Sequence, residues 1–252
     1  MNDPAPGAAQ LPLALRYPPD QRFDTFVGAP AGALSQLQAL ASGRERGGLL
    51  LQGPAGAGKT HLALAACAHA ENSGLRSAFL PLASGSGRLA QALEALEDND
   101  FIALDGLDAI CGRRDDEVAL FHFHNRVMDG GHRLLYTADV PAAALPLVLP
   151  DLRSRISACA GIALSALDDA GRRDLLRSRA MRRGLVIDDV AIDWLLRRVG
   201  RDLAGLTRLL DRLDRASLAA QRRVTVPFLR QVLANDPQAP AAVKPAGDSG
   251  AA

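Results

Sequence analysis

Up to residue 165 of this 252-residue chain, short apolar runs alternate with stretches of helical periodicity. The runs Leu49–Gln52, Ala78–Leu80, Phe101–Leu104, Leu134–Tyr136 and Ile162–Leu164 are the candidate strands. Strand and helix signals alternating in this way predict a parallel sheet with crossover helices. After Ser165 the pattern is helical only. Asp168 is placed to cap a helix that stops near Arg183-Gly184. Asp188 opens a second helix, with Ile192, Leu195, Leu196 and Val199 at helical spacing. Leu203, Leu206, Leu209, Leu210, Leu213 and Leu218 mark a third, and Thr225 with Pro227 starts a fourth.

These elements predict an α/β fold, a five-stranded parallel core followed by a small all-helical lid. The expected divisions are an N-terminal arm over 1–19, a core over 20–165, a lid over 166–236 and a tail over 237–252. The arm is rich in Pro and Ala and ends in Tyr17-Pro18-Pro19, so it reads as extended. The tail consists mostly of Pro, Ala, Gly and Ser and reads as disordered. No internal repeat is visible.

Composition narrows the classes of function. Hydrophobic residues make up 48% of the chain, enough for a sizeable core, and the formal net charge of +1 demands neither nucleic acid nor a membrane surface. Cys67, Cys111 and Cys159 are far apart and form no C-x-x-C pair, so they read as free thiols in a reducing cytoplasm. The N-terminus lacks a basic segment followed by an apolar one, and Val140–Leu149 is too short and too rich in proline to cross a bilayer. A cytoplasmic protein without membrane contact is expected.

The chemistry concentrates in Gly53-Pro54-Ala55-Gly56-Ala57-Gly58-Lys59-Thr60, which fits the phosphate-loop pattern G-x-x-x-x-G-K-[ST] at every fixed position. An apolar run precedes it and a helical stretch follows, the context in which glycines turn backbone N–H groups onto phosphate oxygens. Lys59 would reach the outer phosphates and the Thr60 hydroxyl would hold Mg²⁺. Lys59 and Lys244 are the only two lysines among 29 basic residues. A compact ammonium fits between phosphates where a planar guanidinium does not. A nucleoside di- or triphosphate is the expected ligand, with ADP or ATP and Mg²⁺ as the cofactors.

Phe101–Leu104 ends in Asp105, the usual strand-end partner of such a loop and a second Mg²⁺ candidate. The position after it, where related ATPases often carry the acid that polarises attacking water, is Gly106, and Asp108 lies two residues further on. Good nucleotide binding with poor intrinsic hydrolysis is the expectation. The strand Leu134–Tyr136 leads into Thr137 and Asp139, which either face the γ-phosphate or simply start a turn. Arg153-Ser154-Arg155 precedes the last strand. Alone, an R-x-R reads as solvated arginines; in this place Arg155 is the candidate catalytic residue, an arginine presented to a neighbouring molecule's nucleotide. The lid carries 15 arginines against 10 acids, a local charge of +5, and most of these read as solvated helix faces. Arg201 opens the third helix and could fold onto the phosphates. His122 and His124, two apart on a helix, cannot form a metal pair on one face.

Together, the phosphate loop, Asp105, Thr137 with Asp139, Arg155 and Arg201 in a helical lid resemble an AAA+ ATPase, and within that superfamily the nucleotide-binding module of the bacterial replication initiator DnaA. Phe23-Asp24-Thr25-Phe26-Val27 is similar to the initiators' F-x-x-F-V segment, which places Phe26 and Val27 near the adenine. Arg201-Asp202-Leu203-Ala204-Gly205-Leu206 is similar to their R-E-L-E-G-A lid helix, which makes Arg201 the sensor-2 candidate. Thr137 and Asp139 fall on sensor 1, and Ser154-Arg155 on the arginine finger. The initiators continue into a helix-turn-helix DNA-binding domain, whereas the readable pattern here stops near Asp236.

A DnaA-like module of this kind resembles the Hda family of DnaA regulators. Gln10-Leu11-Pro12-Leu13-Ala14-Leu15 adds to that likeness. It is similar to the Q-L-x-L-x-L peptides that enter the groove of the DNA polymerase III sliding clamp (the β subunit), with Gln10, Leu11, Leu13 and Leu15 as the contacts. Alone, the hexapeptide reads as a short strand or a packing arm. The resemblance implies a negative regulator of replication initiation that binds ADP, docks on DNA-loaded clamp and promotes hydrolysis of DnaA-bound ATP, meeting DNA only through the clamp. A homodimer is compatible with these features. The alternatives are an AAA+ helicase loader or DNA-remodelling motor, which would turn over its own ATP, and a small-molecule kinase.

Overall fold

The computed structural model describes residues 21–85, 88–199, 213 and 224–234. Five strands form one parallel sheet: β1 (Gly47–Gln52), β2 (Ser77–Pro81), β3 (Phe101–Asp105), β4 (Arg133–Ala138) and β5 (Ala160–Ala163), in the order β2-β3-β4-β1-β5. All five apolar runs became strands. β5 starts two residues earlier than its run suggested, while the Leu164 N–H still donates to Gln52 O at 2.7 Å, so pairing with β1 continues past the last strand residue. This order puts β1 between β4 and the edge strand β5, with Leu50 opposite Tyr136 on one side and Gly161 on the other.

The inner strands β1, β3 and β4 are buried on both faces, and their side chains divide by parity, while β2 is half-buried and β5 is mostly exposed at the edges. Leu49 and Leu51 of β1, Phe101 and Ala103 of β3, and Leu135 of β4 pack into one layer, against α1 (Ala33–Ala41) and α2 (Lys59–Asn72). Leu50, Ile102, Leu104, Leu134 and Tyr136 pack into the other, against α3 (Leu89–Glu94), α4 (Arg114–Asp129) and α5 (Pro150–Ser157). The strands' C-terminal ends therefore open on one edge of a three-layer core, where a parallel sheet presents its ligand crevice.

The segment beyond β5 is helical in every element described. In α6 (Asp169–Arg182), the Asp168 carboxylate accepts the Gly171 N–H at 2.7 Å, an N-cap that stabilises the helix by about 1 kcal/mol. α7 (Asp189–Val199) and α8 (Val226–Ala234) follow at the expected starts. Leu176, Ile192, Leu195, Leu213 and Leu229 share a separate apolar cluster, so this region has its own core. The arm over 1–19, the tail over 237–252 and the third helix expected from Leu203 to Leu218, apart from Leu213, lie outside the described residues. No described helix is long and apolar enough to cross a membrane.

Candidate functional site

The loop 53–58 joins the end of β1 to the start of α2, so its amides and the positive end of that helix face the same crevice. Its first residue is held from below, where the Gly53 N–H donates to Ala138 O at the end of β4. Lys59 is almost wholly buried by this geometry, its side chain 10% exposed. The ammonium donates to Gly53 O at 2.6 Å, Pro54 O at 3.0 Å and Asp139 Oδ1 at 2.7 Å. Three donors meet three acceptors, and two of these are the loop's own carbonyls.

Asp105 stands next to this at the end of β3. Its Oδ2 accepts the Thr60 hydroxyl at 2.9 Å and its Oδ1 the Thr137 hydroxyl at 2.7 Å. Thr137 is fully buried, and its oxygen also accepts the Gly106 N–H at 2.8 Å. Its hydroxyl thus orients Asp105, while the exposed Asp139 carboxylate pairs with Lys59. A hydroxyl and a carboxylate in contact are hard oxygen donors that fit Mg²⁺. Thr60 and Asp105 would hold the ion, and it would neutralise charge on the phosphates. No acid follows Asp105: Gly106 takes that position, and Asp108 Oδ2 is engaged with the Asp139 N–H at 2.8 Å.

The other side of the loop meets the N-terminal segment and the lid. Phe26 packs against Gly58 and makes an edge contact with His61 at 5.4 Å between ring centres, with Val27 half-buried beside it. His61 Nε2 lies 2.9 Å from Arg22 O; a carbonyl only accepts, so that nitrogen carries the proton. A cavity of about 740 Å³ opens between Pro54, Ala55 and Gly56 of the loop and Leu167, Asp168 and Arg172 at the start of the lid. Its size suits a nucleotide-scale ligand. Arg172, paired with Asp169 and 12% exposed in its side chain, is a cavity residue that sequence reasoning missed, because it is one arginine among many on α6.

Arg155 sits apart from this group, exposed on α5, with Leu152 and Ile156 of the same helix buried in the core. It does mark its surroundings: burial first, and then the Arg155 charge, push the pKa of His124 down to about 4. His124 is buried, its Nδ1 2.9 Å from the Tyr136 hydroxyl, whereas His122 is exposed, so the two do fall on different faces. His124 is neutral in the folded chain but takes up a proton near pH 6.5 once unfolded. Stability is therefore expected to fall as pH drops from about 6.5 to about 4, by about 3 kcal/mol in total from this residue. Urea unfolding of wild type and His124→Gln at pH 7 and pH 4.5 checks it. An equal loss in both proteins would remove His124 as the source. Arg201 and the hexapeptide Gln10–Leu15 lie outside the described residues.

Two family models match the chain: the Hda lid domain over residues 169–233 and the IstB-like ATP binding protein over residues 7–124. Among solved structures, domain III of the Thermotoga maritima replication initiation protein DnaA superposes with a TM-score of 0.72 at 18% identity, covering 86% of this chain and 97% of that one. The replication initiator DnaA bound to AMPPCP and single-stranded DNA gives 0.64 at 18% identity, over 82% of this chain and 70% of that one. The RuvB Holliday junction branch migration motor of Thermotoga maritima gives 0.60 at 19% identity, over 85% and 71%. At these identities the structures speak for the fold, and the lid carries the narrower likeness. With a DnaA-like fold in its core and a lid region that matches the Hda lid domain, the chain resembles the Hda/DnaA-like AAA+ proteins.

Proposed function

We propose that this protein is a negative regulator of DNA replication initiation, which promotes conversion of ATP-bound DnaA to its inactive ADP form while docked on DNA-loaded sliding clamp. The observation that carries the reading is the Hda-lid match over residues 169–233. The chemistry of the core supports it. Lys59, Thr60 and Asp105 are arranged to hold phosphates and Mg²⁺, yet Gly106 stands where an acid would activate water. A protein built this way keeps its nucleotide, with ADP as the resident ligand, and acts on another's. Arg155 is then the arginine finger in trans, exposed on α5 and free of any packing role. Phe26 and Val27 line the base, Asp139 and Arg201 attend the phosphates, and the divisions at 19, 165 and 236 separate arm, core, lid and tail.

Gln10, Leu11, Leu13 and Leu15 supply the clamp contact in this proposal. Docking on a clamp at DNA raises the local concentration of the regulator, so the contact with DnaA can be weak. Leu11→Ala with Leu13→Ala is expected to lower clamp affinity by more than about 100-fold, at roughly 1.5–3 kcal/mol per buried leucine, with nucleotide affinity unchanged. Retained clamp binding in that variant would eliminate the docking segment.

The function itself is tested by following hydrolysis of ATP pre-bound to DnaA, with and without this protein, in the presence of DNA-loaded clamp. Clamp-dependent acceleration is expected. The IstB-like match over residues 7–124 favours a second reading, an independent ATP-driven loader or DNA-remodelling motor. ATP turnover by this protein alone, with no effect on DnaA, would select that reading instead.

A further inference from the structure

Glu117, in the first turn of α4, is a carboxylate with no exposed surface. Its hydrogen-bond partners are backbone donors. Oε1 accepts the Gly112 N–H at 2.8 Å and the Val148 N–H at 3.1 Å, and Oε2 accepts the Leu149 N–H at 2.7 Å. A buried carboxylate is tolerated only where such bonds replace its water, so three of them on one group specify its position closely.

The three amides come from two separate segments. Gly112 belongs to the connection after β3, the strand that ends in Asp105. Val148 and Leu149 end the connection after β4, and Leu149 is the N-cap residue of α5, the helix that carries Arg155. Pro150 at the first position of α5 has no N–H, so the amides that Glu117 holds are the last before the helix begins. The opposite end of the same connection is also tied to the segment after β3, since Asp108 accepts the Asp139 N–H. Arg153 adds a bond back to Leu147 O. Residues 108–117 thus fasten the stretch 139–149 at its start and at its end.

The consequence for Arg155 is geometric. Six residues separate it from Leu149, about 9 Å along a helix, so a tilt of roughly 20° at the N-cap moves it about 3 Å. A displacement of that size takes a guanidinium out of hydrogen-bond range of a phosphoryl group.

We infer that Glu117 is a positioning residue for Arg155: its buried carboxylate sets the start of α5, and with it the place at which the arginine meets a partner's nucleotide. The inference rests on the proposed action of Arg155 in trans.

The test uses the full chain as wild type, Glu117→Gln, Arg155→Ala and the double variant, at saturating clamp. Hydrogen exchange over residues 148–157, affinity for ADP and the stimulated hydrolysis rate on DnaA are read for each. Glu117→Gln keeps an acceptor but turns an N–H₂ toward backbone donors. It is expected to hold ADP affinity within twofold, to speed exchange at Val148 and Leu149 at least tenfold, and to cut the saturated rate about tenfold. In the Arg155→Ala background it should cut nothing further, because its effect runs through that side chain. An equal cut in both backgrounds would reduce Glu117 to a general stability role and overturn the inference, as would an unchanged rate. If Glu117→Gln fails to fold, Glu117→Asp, which keeps the charge and shortens the reach, takes its place. If wild type stimulates nothing, the proposed function falls on its own, and the exchange data judge the anchor: unaltered protection at 148–157 overturns it.

Discussion

Arg155→Ala is expected to slow clamp-dependent hydrolysis of DnaA-bound ATP about a thousandfold, the scale of an arginine supplied in trans to a phosphoryl transition state. The same variant should bind its own nucleotide and the clamp as wild type does. Both halves of that result follow from where the side chain stands. Leu152 and Ile156 anchor α5 in the core, while Arg155 is exposed, so alanine opens no cavity. Arg155 is also remote in the chain from Lys59, Thr60 and Asp105, which share a separate set of hydrogen bonds. Arg155→Lys restores the charge but not the planar fork and should recover only a minor part of the rate. The measurement is single-turnover release of phosphate from pre-loaded DnaA. A rate within twofold of wild type for Arg155→Ala would remove the finger assignment. A second readout needs no partner at all: the Arg155 charge helps hold His124 near pKa 4, so in the alanine variant His124 should titrate higher while remaining below its ordinary value.

What could be read from the chain beforehand, and what could not, divides along one physical line. The strands were legible because a strand buried on both faces must be a continuous apolar run, as at Phe101–Leu104 and Leu134–Tyr136. Lys59 and Thr60 were legible because a phosphate loop is a local device, encoded in eight successive residues. Asp105 could be placed because strand ends in a parallel sheet meet at one edge. The pairings between distant segments carried no such local mark. Asp139 lies 80 residues from Lys59, and its contact with the ammonium appears only in three dimensions. Glu117 closes the run Asp115-Asp116-Glu117, which reads as ordinary acids in the first turn of a helix. Nothing near it signals that one of the three is buried under the amides of residues 148 and 149. α5 was read only as a segment before the last strand, although Pro150 followed by Asp151 is a helix start in miniature.

Removing the lysine should have the second large effect. Lys59→Ala is expected to weaken ADP and ATP binding at least 30-fold while leaving the protein folded. The ammonium is held by Gly53 O, Pro54 O and Asp139 Oδ1, a place ringed by acceptors that phosphate oxygens can share. That arrangement places the charge before ligand arrives, and charge-assisted bonds to phosphate made by a pre-placed group are worth about 2–5 kcal/mol. At about 1.4 kcal/mol per tenfold, the loss spans from some 30-fold to several thousandfold. The fold should survive because the group left behind, Asp139, is 55% exposed in its side chain and returns to water without a buried charge. Lys59→Arg should fail nearly as badly, since a planar guanidinium does not fit where a buried ammonium meets three acceptors, even though this chain uses arginine at nearly every other basic position. Titration with a fluorescent ADP analogue, alongside thermal unfolding of each variant, measures both halves. Affinity within threefold of wild type for Lys59→Ala would mean that nucleotide is held elsewhere, and the phosphate-loop site would have to be abandoned.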